Sequence, residues 1–185
     1  MDKLIQSDFK RHGIDKVTFS KILSVFLFFP NPGLKFMTIF RLCQKYRNRN
    51  RILFLFYFLW LRRLKFKYGM DISYRTKIGA GFYIGHFGGI VIHGDVIIGN
   101  NCNISQGATL GVSNSGNIGT PIIGNNVFIG PNAGVFGNIE IGNNVTIGAN
   151  SVVTKSIPSH STVASSIVTI FEKDLSENYI HNRYL

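Results

Sequence analysis

Two steps of a six-residue repeat stand in Ile78-Gly79-Ala80-Gly81-Phe82-Tyr83-Ile84-Gly85-His86. Each step opens with an aliphatic residue, and a glycine usually follows it. The aliphatic positions along the chain are 72, 78, 84, 92, 98, 104, 110, 123, 129, 135, 141, 147 and 153. Because six is a multiple of two and not of 3.6, the period predicts short strands and excludes a helix. A fixed short period of this kind indicates a solenoid of stacked coils.

If each step is a strand and a turn, three steps close a triangular coil and the aliphatic side chains stack inside it. Four positions after the aliphatic residue, the chain again carries a small or apolar residue, which predicts a second inward position. These residues are Val96, Cys102, Ala108, Val127, Ala133, Val145 and Ser151. The Gly-Asn-Asn triplets at 99–101, 124–126 and 142–144 supply residues that tolerate positive φ in the turns. The sequence therefore predicts a mainly β protein, with a parallel β-helix over residues 69–171.

The repeat is interrupted twice. The step between positions 84 and 92 is eight residues long, and the step between 110 and 123 is thirteen. The longer interruption predicts a loop around residues 112–117. Loops that leave a regular scaffold often carry binding or catalytic residues.

Charge divides the chain into unequal parts. Residues 1–68 hold fifteen Lys and Arg and three acidic residues, whereas residues 69–185 hold five and six. We therefore treat residues 1–68 as a separate helical segment and residues 172–185 as a polar tail. The two cysteines, Cys43 and Cys102, do not form a disulfide framework, and Cys102 is expected to be a buried thiol. No secretory signal is recognised, which predicts a cytoplasmic protein.

The helical segment is rich in aromatic and basic residues. Helices are expected over 34–42 and 52–61, with a break at residues 30–33. The apolar run 52–61 is too short to span a bilayer as a helix, which takes about twenty residues. Its basic flanks favour contact of residues 21–68 with the inner face of the plasma membrane. The alternative is that these helices pack against the β-helix or a neighbouring subunit. Nucleic acid is not expected as a partner, because no nucleic-acid-binding fold is indicated.

Stacking of the coils predicts a column of residues at one corner. In every third step, one for each coil, the third residue is His86, Gln106, Pro131 and Ala149. A histidine followed by a polar residue and then by small residues is expected to border a groove for a long, thin ligand.

Four segments resemble the serine acetyltransferases and their polysaccharide-modifying relatives, such as the colanic-acid acetyltransferases. They are Gly69-Met70-Asp71-Ile72, Ile84-Gly85-His86, Ser105-Gln106-Gly107-Ala108-Thr109-Leu110-Gly111 and residues 147–153. The resemblance covers about residues 69–158. It implies a left-handed β-helix, acetyl-coenzyme A as cosubstrate, and a homotrimer that binds the coenzyme between neighbouring subunits. It also implies an Asp–His pair at Asp71 and His86.

These residue types suit transfer of an acetyl group to an alcohol. A neutral imidazole can remove the hydroxyl proton near pH 7, and a carboxylate on its other nitrogen orients it and stabilises the imidazolium. We expect His86 to be the base and Asp71 its partner, with direct attack of the alkoxide on the thioester. The backbone near Gly111 is the expected oxyanion site.

The resemblance further implies that coenzyme A lies along small residues and backbone amides. The expected contacts are Gly111, Gly130, Pro131, Gly148 and Ala149, with Lys155 near the nucleotide phosphates. The acceptor is expected near Gln106, His93 and Thr120.

One segment departs from the serine acetyltransferase pattern. Those enzymes carry Arg-His-Pro at the end of the loop, whereas this chain reads Ile118-Gly119-Thr120-Pro121. Because a cation for a carboxylate is missing there, the acceptor is expected to be an uncharged sugar hydroxyl.

The main functional prediction is therefore O-acetylation of a capsular or other surface polysaccharide, or of its lipid-linked precursor. The alternatives are serine O-acetylation in cysteine biosynthesis and a non-catalytic, membrane-associated scaffold. A β-helical carbonic anhydrase would need three histidines on a metal. The coils contain only His86 and His93, so no metal is expected.

Overall fold

A computed structural model describes residues 2–28 and 31–164. Four helices come first: α1 Lys3–Lys10, α2 Phe19–Leu27, α3 Pro32–Tyr46 and α4 Arg51–Tyr68. Strands β1 to β7 are Met70–Ile72, Lys77–Ile78, Tyr83–Ile84, Ile90–Ile92, Ile97–Ile98, Asn103–Ile104 and Thr109–Gly111. Strands β8 to β14 are Ile122–Ile123, Phe128–Ile129, Gly134–Phe136, Glu140–Ile141, Thr146–Ile147, Val152–Val153 and Thr162–Val163.

The strands form three parallel sheets, one on each side of the coils. Sheet 1 contains β1, β4, β7, β10 and β13; sheet 2 contains β2, β5, β8 and β11; sheet 3 contains β3, β6, β9, β12 and β14. Every third strand therefore joins the same sheet, which confirms the predicted β-helix. The predicted end of this domain, residues 165–171, and the predicted tail 172–185 lie outside the described residues.

The repeat correctly predicts the core. All thirteen aliphatic positions are buried, with no side chain more than 6% exposed, and the seven small or apolar positions are buried as well. Each coil therefore stacks its aliphatic side chains on those of the next coil. Removal of this apolar surface from water is the main stabilising contribution of the solenoid.

The turns between sheets 2 and 3 adopt the predicted left-handed conformation. Asn101, Asn126 and Asn144 each have φ of 56°, and His160 continues this corner with φ of 62°. The glycine that begins each Gly-Asn-Asn triplet is needed for space between coils. A Cβ on Gly124, for example, would stand 2.8 Å from the backbone of the next coil. Asparagine thus tolerates the turn, and glycine permits the close approach of coils.

A buried ion pair joins the helical segment to the first coil. Arg41 on α3 lies 2.9 Å from Asp8 on α1, and the two side chains are 1% and 2% exposed. Arg41 also donates to the carbonyl oxygens of Ile78 and Gly79 at 2.6 Å, while Asp8 accepts from the Phe82 N–H at 2.9 Å. Burial raises the pKa of the Asp8 carboxyl, and hydrogen bonding to Arg41 and the Phe82 N–H opposes that rise.

The two predicted helices are present and longer than expected. Helix α3 and, through Leu61 and Leu64, helix α4 pack into the same core as the coils, so packing against the β-helix is confirmed for both helices. One side of α4 stays exposed, and we call it the outer face of α4: Ile52, Leu55, Phe56 and Leu59, each more than half exposed. Among the residues that the structure describes, no helix is long and apolar enough to cross a membrane.

Both cysteines are buried, as expected for Cys102, and we predict that neither reacts in the native protein. Burial raises the pKa of Cys43 to about 11, and burial also raises the pKa of Cys102. Since the thiolate is the nucleophile, iodoacetamide at pH 8 should leave the native chain unmodified, whereas the chain unfolded in urea should gain two adducts. Mass spectrometry measures both, and an adduct on native Cys43 would show that this thiol is not buried.

Candidate functional site

The corner between β3 and β4 is larger than the corner below it. Ile84 pairs with Ile104, and Val91 pairs with Thr109. Six residues lie between Ile84 and Val91, whereas four lie between Ile104 and Thr109 in the next coil. The corner of residues 85–89 therefore contains two extra residues, as the eight-residue step predicts. The His86 side chain on this corner is exposed.

Backbone hydrogen bonds between coils show which residues stack at this corner. The carbonyl oxygens of Gly88, Gln106 and Pro131 each accept from an amide one coil further on, at 2.8, 2.9 and 2.8 Å. The column therefore begins at Gly88, and the predicted place of His86 at its head is wrong. The two extra residues allow His86 and Phe87 to leave the stack.

Asp71 lies on β1, with its side chain 74% exposed. Its carboxylate accepts a hydrogen bond from Lys65 Nζ at 2.7 Å. Across residues 2–28 and 31–164, the His86 imidazole takes part in no hydrogen bond. The pairing of Asp71 with His86 stays a prediction, and the structure gives Asp71 a lysine partner that the sequence reasoning missed.

The end of α4 lies against the His86 corner. The rings of Tyr68 and Phe87 are 5.7 Å apart. A Cβ on Gly69, the residue that ends the helix with φ of 60°, would stand 3.6 Å from the Cα of Gly88. The last turn of α4, the start of β1 and the enlarged corner therefore form one local structure.

Two hollows meet at Asp71 and Val91. The helix hollow, between α4 and sheet 1, has a volume of about 520 Å³. It is lined by Phe58, Leu61, Arg62, Lys65, Phe66, Gly69, Met70, Asp71, Tyr74, Ile90 and Val91. The loop hollow, of about 390 Å³, extends from Asp71 and Val91 towards His93, Gly111 and Val112.

The predicted acceptor residues occupy different environments. His93 lines the loop hollow, and its Nδ1 accepts from the Asp95 N–H at 3.3 Å. The Thr120 hydroxyl donates to the Asp95 carbonyl oxygen at 3.2 Å. Gln106 Oε1 is buried and has no partner within the described part of the chain. Gln106 therefore retains an acceptor for a group from outside this chain, whereas Thr120 already uses its hydroxyl proton.

Two of the predicted coenzyme contacts are glycines whose amides bind the next coil. The backbone N–H groups of Gly130 and Gly148 donate to Ile147 and Val163 of the next coil, at 2.8 and 2.7 Å. Bonds between coils therefore use these two N–H groups, and the contacts of both glycines with the coenzyme stay predictions. Ala149 and Lys155 are exposed and Pro131 is half-buried, so their contacts stay predictions.

Gly111 has a packing role that the sequence did not indicate. A Cβ at this position would stand 3.0 Å from the Phe136 ring. Its contribution to an oxyanion site stays a prediction. In the part of the chain that the structure describes, no group of three His, Cys, Asp or Glu side chains could hold a metal ion.

Comparisons with known proteins agree with the repeat. The family profile described as bacterial transferase hexapeptide (six repeats) matches residues 120–155. The chain is 41% identical over 118 residues to a serine acetyltransferase of Buchnera aphidicola, covering 63% of this chain and 45% of that protein. A serine acetyltransferase of Staphylococcus aureus is 44% identical over 111 residues, covering 60% and 52%. The chain thus spans about half the length of these curated relatives.

Solved structures show the same likeness. Serine acetyltransferase isoform 3 from Entamoeba histolytica, in complex with cysteine, superposes with a TM-score of 0.72 at 31% identity. That match covers 95% of this chain and 62% of the other. The Neisseria gonorrhoeae serine acetyltransferase gives a TM-score of 0.71 at 29% identity, covering 97% of this chain and 71% of the other.

Proposed function

We propose that this chain, which carries the repeats and the fold of the hexapeptide-repeat acyltransferases, moves an acetyl group from acetyl-coenzyme A to a hydroxyl group. L-Serine is the acceptor that the comparisons favour, in place of the sugar predicted from the sequence. The observation that carries the proposal is the exposed His86 on an enlarged corner, in a chain whose fold matches serine acetyltransferases.

His86 would take the proton of the acceptor hydroxyl, and the oxygen would attack the thioester carbonyl carbon. The tetrahedral intermediate would then collapse with cleavage of the C–S bond. The departing thiolate of coenzyme A would recover the proton from the imidazolium, so that the base is regenerated. Asp71 would orient the imidazole through its other nitrogen after exchanging its bond to Lys65.

The corner column offers a surface for the pantetheine arm of acetyl-coenzyme A. Gln106 Oε1 has no partner within the described residues, and the pantetheine arm carries amide N–H groups that could donate to it. Pro131 and Ala149 below it are small and leave room for an extended chain. The groove would be completed by a neighbouring subunit, so we propose that the active form is a homotrimer.

A sugar hydroxyl is the second candidate acceptor. The observation that favours it is the loop of residues 112–120, which contains no cation for the carboxylate of serine. The acceptor would then be a surface polysaccharide or its lipid-linked precursor.

Release of free thiol from acetyl-coenzyme A tests the proposal. It should be measured with L-serine and, separately, with the de-O-acetylated surface polysaccharide of the host. Release with serine supports the first acceptor, and release with the polysaccharide alone supports the second. Absence of release with both, by a protein that is folded and trimeric, would overturn the acetyltransferase proposal.

We also propose that the helical segment contacts the inner face of the plasma membrane. The outer face of α4 is apolar and exposed, and Arg51, Arg62 and Lys67 along the same helix are exposed as well. Exposed apolar side chains beside exposed cations suit an anionic lipid surface.

Sedimentation with vesicles should show this contact. We expect binding to phosphatidylglycerol-containing vesicles, weaker binding to phosphatidylcholine vesicles, and loss of binding in the Leu55→Gln, Leu59→Gln double variant. Val152→Gln is the matched control, because Val152 is 69% exposed on the β-helix. Equal binding to both lipids, or binding unaffected by the double variant, would argue against membrane contact.

A further inference from the structure

Helix α4 contributes two cations to the hollow that Asp71 also lines. Arg62 and Lys65 are three positions apart, so they lie on one side of the helix. Both side chains line the helix hollow together with Asp71, and Lys65 Nζ is 2.7 Å from the Asp71 carboxylate. The lining of an otherwise apolar hollow therefore includes three charged groups.

These charges do not balance. Asp71 is the one acidic residue among those lining the helix hollow, against Arg62 and Lys65. Arg62 has neither a salt bridge nor a hydrogen bond within the described residues. The hollow therefore has a surplus positive charge and a guanidinium whose donors are free for a ligand.

The hollow also lies next to the proposed base. Gly69 lines it and stands against Gly88 of the enlarged corner, while Tyr68 touches Phe87, the residue after His86. A ligand anchored at Arg62 would therefore have its remaining atoms close to Asp71 and the corner.

We infer that Arg62 and Lys65 bind the negatively charged group of the acceptor in the helix hollow. The ligand class is a small alcohol that carries a carboxylate or a phosphate. A guanidinium fork matches both oxyanions, which makes Arg62 the main contact. This inference rests on the proposed acetyl transfer, and it supplies from α4 the cation that the loop of residues 112–120 lacks.

Binding would also change the partner of Asp71. When the anion of the acceptor binds the Lys65 ammonium, the Asp71 carboxylate loses its hydrogen bond to Lys65. The carboxylate then becomes available to the imidazole of His86. The acceptor would thereby assemble the catalytic pair on arrival.

Paired acceptors test the anion contact. The KM should be measured for L-serine and for L-serinamide, which keeps the hydroxyl and lacks the carboxylate. In Arg62→Ala we expect the KM for L-serine to rise about tenfold or more, while the KM values for L-serinamide and acetyl-coenzyme A stay within about twofold. Arg63→Ala is the control, since Arg63 is exposed on the same helix and does not line the hollow. Equal effects on both acceptors, or equal effects of both variants, would overturn the inference.

A phosphate-bearing acceptor is distinguished by a second arm. If sugar phosphates accept acetyl and serine does not, Arg62→Ala should raise the KM for the phosphorylated sugar and not for its dephosphorylated form. If no acceptor releases thiol, the proposed function fails and the site is judged by calorimetry with inorganic phosphate. Binding that Arg62→Ala removes would support the site, and absence of binding to the wild type would overturn it.

Discussion

The His86→Ala variant is expected to release thiol from acetyl-coenzyme A about 10²- to 10⁴-fold more slowly than the wild type with its best acceptor. An alcohol attacks a thioester poorly until its proton is removed, and His86 is the exposed imidazole on the corner beside Asp71 and the helix hollow. The loss should appear in kcat. Affinity for acetyl-coenzyme A, measured by calorimetry, should be unchanged because the column of Gln106, Pro131 and Ala149 stays intact.

The control for this variant is His160→Asn. His160 occupies a turn between sheets 2 and 3 with φ of 62°, a conformation that asparagine tolerates. This variant removes an imidazole from another corner and should keep the wild-type rate. A His86→Ala protein that retains a rate within about threefold of the wild type would remove His86 from the mechanism, since loss of a general base costs far more.

The Arg41→Ala variant is expected to lose about 3–5 kcal/mol of unfolding free energy. The change would leave the Asp8 carboxylate buried without its cation. It would also remove the donors to the carbonyl oxygens of Ile78 and Gly79. An isolated buried charge is costly because the water that solvated it in the unfolded chain is not replaced. Urea denaturation followed by circular dichroism measures the effect.

Arg75→Ala is the matched control for this loss. Arg75 and Asp95 are 4.0 Å apart and their side chains are 63% and 66% exposed. Solvent screens an exposed pair of this kind, so the variant should change the unfolding free energy by about 0.5 kcal/mol or less. Similar losses in the two variants would mean that the Asp8–Arg41 pair does not hold the helices on the coils.

The period of six predicted the core of the β-helix, because each aliphatic residue has the same environment in every coil. Ile104 and Ile129 are buried for the same reason, and the pattern needs no knowledge of distant contacts. The Asp8–Arg41 pair could not be predicted in this way. Its members are 33 residues apart on separate helices, and an arginine in an amphipathic pattern usually points to water.

The candidate site was less predictable than the coils. The eight-residue step showed that the corner of residues 85–89 is enlarged, but not which residues leave the stack. The backbone hydrogen bond from Gly107 to Gly88 places Gly88 in the column, whereas the spacing of the repeat had predicted His86 there. The cation for an acceptor was expected in the loop before Pro121, where the sequence has none. Arg62 and Lys65 belong to another element, and only the packing of α4 against β1 brings them to Asp71.

The contacts of the helical segment with the first coil also bear on self-assembly. A solenoid of identical repeats has no internal limit to its length, since the free backbone at either end can accept a further strand from another molecule. Here Arg41 donates hydrogen bonds to the carbonyl oxygens of Ile78 and Gly79, and Asp8 accepts one from the N–H of Phe82. The helical segment therefore caps this end of the β-helix. These three backbone groups are therefore not available to a strand from another molecule.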